Sequence, residues 1–184
     1  MAKVEVGKGR SQIEETPSGL RITIPAKKNY FLILFLAFWL VGWAFGEITA
    51  LAQVLNPESG APKLFMLAWL CGWTVGGAFA IYAWLWNVKG QEIVNLSSTE
   101  LQHVRRLPFF QRSKEYDLSA VSKLRAQAPD RSIFGTRNGM EFWGISGGSV
   151  VFDYGHSTHK FGAQLDEAEA NHIVTTIKQR YKNL

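Results

Sequence analysis

Two nearly uncharged stretches constrain this chain before anything else. Between Tyr30 and Leu55 the only charged residue is Glu47, and between Leu64 and Val88 there is none. Each stretch exceeds the roughly 20 apolar residues needed to cross about 30 Å of hydrocarbon at 1.5 Å per residue. A buried helix in a soluble domain of this size would be shorter and would carry a polar face. The spacing therefore predicts two transmembrane helices, about 30–53 and 63–87, forming a hairpin over 30–88. A secretory signal is the competing reading of the first run, because Ala50-Leu51-Ala52 resembles a cleavage site. A long polar preamble, an apolar run longer than a signal core and Glu47 just before the site argue against cleavage.

Lys and Arg set the expected orientation. Six precede the first run (Lys3, Lys8, Arg10, Arg21, Lys27, Lys28), only Lys63 lies in the connection, and the other thirteen follow the second run. Positive residues beside spans stay in the cytoplasm. Both termini are expected inside, with the loop around Asn56-Pro57-Glu58-Ser59-Gly60 outside; its proline and glycine suit a tight connection. A multi-pass membrane protein is expected.

The two spans echo each other. The pattern F-x-x-x-W-L-x-G-W-x-x-G runs from Phe35 to Gly46 and again from Phe65 to Gly76. In an antiparallel hairpin the pairs Gly42/Gly46 and Gly72/Gly76 fall at matching depth, so Gly42 is expected beside Gly76 and Gly46 beside Gly72. Small residues at that spacing let helix backbones approach closely in lipid. The alternative use of the same glycines is a surface that recruits another membrane protein or a second copy. Glu47 is the one intramembrane carboxylate, and such groups are functional candidates. It lies about 25 Å along the axis from Tyr30, near the outer interface.

The mean hydropathy of −0.03 conceals a second regime beyond Val88. Over 89–184 short alternating runs are broken by turn residues. They predict strands at Gln91–Leu96, Glu100–Leu107, Phe110–Tyr116, Val121–Gln127, Met140–Ile145, Val150–Tyr154 and Thr158–Gly162. Short turns between them argue for an antiparallel sheet curled on itself. A closing helix follows, with Asp166 as its cap and Glu169 as the capping-box partner. Leu165, Ile173, Ile177 and Tyr181 lie on or near one apolar stripe, joined by Ala168 and partly by Val174. Asp166, Glu167 and Glu169 at its start and Lys178, Arg180 and Lys182 at its end suit the helix dipole. Ahead of the membrane, Gly19–Pro25 alternates apolar and polar. A lone strand that short is unstable, so segment 18–29 is expected to join the C-terminal sheet as a strand with a basic flank. Residues 1–17 are polar and expected to be disordered.

About seven antiparallel strands capped by one C-terminal helix resemble the pleckstrin-homology-like (PH-like) barrel. Residues 112–125 (RSKEYDLSAVSKLR) and 150–174 (VVFDYGHSTHKFGAQLDEAEANHIV) are similar to segments of small bacterial two-span membrane proteins with PH-like domains. The resemblance covers roughly 88–182 and extends to 19–25. It implies an α+β membrane protein: a two-helix transmembrane hairpin plus a cytoplasmic PH-like β-barrel or curled sheet over 89–184, capped by one helix. Eukaryotic relatives of that fold bind phosphoinositides or protein partners.

Chemistry is sparse. Cys71 is the single cysteine, so one chain supports neither an internal disulfide nor a cysteine metal cluster. His156 and His159 have the spacing of a ligand pair, but zinc needs three or four ligands and only Asp153 offers a third. No phosphate-binding loop, nucleophile elbow or H-E-x-x-H pair occurs. No cofactor or metal is implied. The C-terminal region holds thirteen Lys and Arg against ten Asp and Glu, too slight and unclustered an excess for nucleic acid. What remains is a basic rim with aromatics: Arg105, Arg106, Phe109, Phe110, Arg112 and Lys114 around one hairpin tip, with Arg131 and Arg137 in a longer loop. The expectation is a non-catalytic bacterial inner-membrane protein whose cytoplasmic PH-like domain docks a protein partner, as an accessory subunit of a membrane complex. Binding of anionic lipid head groups by the basic rim is the alternative. A small transporter or enzyme using Glu47 or His156 and His159 is the third reading.

Overall fold

The structure is a computed structural model in which residues 3–4, 9–56, 62–127, 143, 145 and 147–184 are described. The chain divides into two units, a helical unit of residues 28–88 and a β unit built from 1–27 together with 89–184.

In the helical unit the apolar runs form α1 (Tyr30–Leu55) and α2 (Lys63–Lys89). Asn29 caps α1, its side-chain oxygen accepting from the Leu32 N–H at 3.2 Å. Both helices are long and apolar enough to cross a membrane. Only 11% of each apolar window is buried, and residues such as Phe31, Phe38, Phe45 and Leu64 stand outward. A helix pair built for water would turn polar residues outward instead.

Among the described residues the β unit holds two antiparallel sheets. The first has six strands in chain order: β1 (Lys3–Val4), β2 (Gln12–Thr16), β3 (Gly19–Pro25), β4 (Gln91–Leu96), β5 (Glu100–Arg106) and β6 (Gln111–Asp117). The second has β7 (Val121–Ala126), β8 (Val150–Tyr154) and β9 (Ser157–Phe161). β3 and β4, which flank the helical unit in sequence, pair along their whole length from Leu20↔Leu96 to Pro25↔Gln91. The helical unit is thus an insertion between two neighbouring strands. Period-two burial builds the core: Leu20, Ile22 and Ile24 on β3 and Val94 and Leu96 on β4 point inward with Leu101, Phe152 and Phe161. The helix α3 (Glu167–Arg180) packs on β7 and β8 through Ala170, Ile173, Val174 and Ile177. The Tyr181 hydroxyl donates to the Leu96 carbonyl at 3.0 Å and ties the helix end to β4.

Three expectations are corrected. Residues 12–16 are not disordered: they form β2, with Ile13 buried. Arg10 donates to the carbonyls of Pro25 and Gln164, and Glu15 meets Arg180 at 3.2 Å. One buried isoleucine contributes about 1.5–3 kcal/mol, and these long-range contacts supply the rest. The capping box is only half made. Asp166 accepts from the Glu169 N–H at 2.7 Å, but the Glu169 carboxylate turns away and accepts from the Ser11 N–H. Finally, the described strands do not close into a barrel. After Asp117, which still pairs with Glu100, the chain leaves the ladder through a 3₁₀ turn, Leu118–Ala120, capped by Asp117, and β7 begins a separate sheet. The expected strand Met140–Ile145 falls almost wholly outside the described residues.

Candidate functional site

Glycine pairing does not hold the helical unit together. A Cβ placed on Gly42, Gly72 or Gly76 would meet nothing within 4 Å. The approach is made instead by indoles. A Cβ on Gly77 would stand 2.0 Å from the Trp43 ring, and one on Gly46 would stand 3.5 Å from the Trp73 ring. The Trp43 indole N–H donates to the Trp73 carbonyl at 3.0 Å, and the Trp73 indole N–H returns to the Trp43 carbonyl at 3.4 Å. The physical reason is polarity. An indole buries a large apolar ring and still requires a partner for its N–H, and a glycine leaves the helix backbone open to receive it. Trp84 repeats the arrangement, donating to the Ile33 carbonyl at 3.2 Å. The sequence echo therefore marks a reciprocal tryptophan clasp, since Trp43 and Trp73 hold equivalent places in the repeat.

The glycines left over face outward. Gly42 lies in an apolar concavity of about 430 Å³ with Phe35, Phe38, Trp39, Trp43 and Trp73. Glu47 is engaged inside the hairpin, where the Thr74 hydroxyl lies 2.6 Å from its carboxylate and 2.7 Å from the Leu70 carbonyl.

In the β unit the charged cluster that forms was not among the expected sites. Glu92 occupies an inward position of β4 and its side chain is 4% exposed. Its carboxylate accepts from the N–H of Gly162 at 2.6 Å and of Ala163 at 3.3 Å. Arg105 lies 3.5 Å and His103 3.8 Å away. Burial pushes the carboxyl up, but His103, Arg105 and the Gly162 N–H outweigh it and hold it below its ordinary value of 4.5. Gly162 supplies that N–H from a left-handed backbone, φ +77°. The signal was available in the sequence: Glu92 falls on the same strand phase as Val94 and Leu96. The cluster ties β4 and β5 to the end of β9.

Arg105 is consequently removed from the expected basic rim; it also donates to the Ile145 carbonyl. Arg106, Phe109, Phe110, Arg112 and Lys114 are exposed. Arg131 and Arg137 lie outside the described residues. His156 is exposed at the β8–β9 turn, whereas His159 lies against Tyr116, Phe152 and Tyr154. Burial, then Lys114 and His103, push His159 below its ordinary 6.5. Burial, then Tyr154, push Tyr116 up. Asp153 accepts from Thr158 at 3.0 Å and pairs with Arg125 at 3.3 Å. Among the described residues no three His, Cys, Asp or Glu side chains converge to hold a metal ion.

Comparison with protein-family models, with curated proteins and with solved structures gives no match for the chain.

Proposed function

We propose that the chain is an integral protein of the bacterial inner membrane. Its helical unit crosses the bilayer twice, with both termini and a PH-like β unit in the cytoplasm. It acts without catalysis as an accessory subunit, docking a protein partner. Helix length, outward apolar side chains and the distribution of Lys and Arg support the membrane part. Antiparallel sheets covered by one C-terminal helix are in keeping with the PH-like part.

The observation that carries the docking reading is the set of unused glycines. Gly42, Gly72 and Gly76 meet open space, and Gly42 lies beside an aromatic concavity. In lipid, close backbone approach is what favours helix association, and these positions offer it to a helix from another chain. Blue-native electrophoresis of mild detergent extracts tests this. The wild type is expected in a larger assembly. The double variant Gly42→Leu with Gly76→Leu is expected to migrate alone while keeping its helical circular dichroism, because a Cβ at either position meets nothing within 4 Å. A wild type that migrates as a free chain removes the docking reading. An assembly indifferent to both substitutions removes the glycine face from it.

A further inference from the structure

The β5–β6 hairpin ends in a two-residue loop, Pro108-Phe109. The Leu107 N–H donates to the Phe110 carbonyl at 2.7 Å, and the Phe110 N–H returns to Leu107 at 3.4 Å. Proline fixes the first loop torsion, so the apex is stiff. It nevertheless places Phe109 at 92% and Phe110 at 60% exposure, while Leu107 beneath them is buried. Two adjacent phenylalanines held in water by a rigid turn are an unfavourable arrangement unless something apolar receives them.

Two further observations name the receiver. The cations stand on both faces of the hairpin just behind the apex. Arg106 pairs with Gln111 on one face, whereas Arg112, opposite Arg105, and Lys114, opposite His103, share the face of Glu92. Arg106, Arg112 and Lys114 are all exposed. The strand register then aligns Pro25, Gln91, Arg106 and Gln111 in one row across β3, β4, β5 and β6. Pro25 is where the chain leaves the sheet toward α1, and Gln91 is where it returns after α2. The apex therefore projects from the same end of the sheet as both connections to the apolar helices. Phe109 reaches about as many residues beyond that row as Lys89 does, and neighbouring strands are only about 4.8 Å apart.

We propose that Phe109 and Phe110 form an interfacial anchor: the rings enter the head-group and acyl boundary of an anionic bilayer while Arg106, Arg112 and Lys114 meet lipid phosphates. The dimensions agree. An interfacial element buries its apolar part about 5–10 Å deep, and in the register Arg106 and Arg112 stand one and two rows behind Phe110, with Lys114 four rows behind, at about 3.3 Å per row. Basic groups close to an anionic surface are drawn to it. The inference rests on the reading that α1 and α2 cross the membrane.

The test uses the full chain reconstituted in vesicles of phosphatidylcholine with phosphatidylglycerol. A Cys71→Ser background carries a spin label at Phe109→Cys or, as a control at the far end of the sheet, at Ser119→Cys. Resistance of the same vesicles to carbonate extraction reports helix insertion separately. The expected result is a label at 109 accessible to oxygen and shielded from a water-soluble nickel chelate, with the label at 119 fully aqueous. Reversing Arg106, Arg112 and Lys114 to Glu is expected to return the 109 label to water. Carbonate-resistant protein whose 109 label is aqueous overturns the anchor and leaves the membrane reading standing. Protein extracted by carbonate overturns both. A 109 label shielded only in native membranes, and not in lipid vesicles, assigns the apex to a protein and overturns the proposal.

Discussion

Gly77 in the helical unit and Gly19 in the β unit both mark a close approach, but different atoms arrive. At Gly77 it is the Trp43 ring, 2.0 Å from where a Cβ would stand. At Gly19 it is the Leu96 carbonyl at 1.9 Å, with the Tyr181 hydroxyl at 2.8 Å. In the β unit burial of Ile, Leu, Val and Phe builds the core, and glycine is needed where two backbones meet. Between helices in lipid, the setting proposed for the helical unit, that drive is absent. Large rings then fill the space, and their N–H groups find backbone carbonyls. The buried polar groups differ accordingly. The β unit keeps carboxylates, Glu92 and Glu169, satisfied by backbone N–H groups. The helical unit uses part-buried indoles and the buried Asn87 amide, each donating to a helix carbonyl.

The largest expected effect breaks the β side of this contrast. Glu92→Ala leaves two N–H groups and two basic side chains without their buried carboxylate. Losing one partner of a buried pair costs about 3–5 kcal/mol, measured by denaturant unfolding of the full chain. The sign of the pH dependence follows from linkage. A carboxyl held below its unfolded value contributes stability that is complete above 4.5 and is lost as pH falls through the lower folded value. Glu92→Gln is expected to be less stable at neutral pH and to lose much of that acid limb. A smaller decline begins below 6.5, where protonation of the depressed His159 favours the unfolded chain. A Glu92→Gln protein with an unaltered acid limb would deny the cluster its role.

The helical side responds more weakly. Gly77→Leu drives a side chain into the Trp43 ring and is expected to cost about 1–3 kcal/mol, read as earlier loss of helix in a detergent thermal melt. The same change at Gly42 has no such effect on the hairpin itself. If Gly42→Leu and Gly77→Leu destabilise the hairpin equally, the distinction between clasp glycines and outward glycines disappears.

How much was legible in the sequence follows the same division. The apolar helices and most strands announced themselves, because charge exclusion and period-two alternation act locally along the chain. β8 matches its expected limits at Val150–Tyr154. What the sequence hid depends on partners far away. β2 contains one buried isoleucine among polar residues and is completed by Arg10 and Glu169, whose partners lie up to 158 residues off. The echo of Trp and Gly was visible, but its meaning was not. A G-x-x-x-G spacing permits close backbone contact without choosing between another backbone and an indole. Of the candidate rim, the exposed apex at Phe109 and Phe110 was readable from its turn chemistry. The withdrawal of Arg105 was not, because only the register brings Glu92 opposite to it.

We propose that one hairpin crosses the bilayer twice and leaves both ends of the chain on the cytoplasmic side. Reporter fusions in bacterial cells test it directly. Fluorescent protein at either terminus should fluoresce, alkaline phosphatase at either terminus should be silent, and phosphatase inserted after Asn56 should be active. Active phosphatase at the C-terminus, or termini that report opposite sides, would contradict the account.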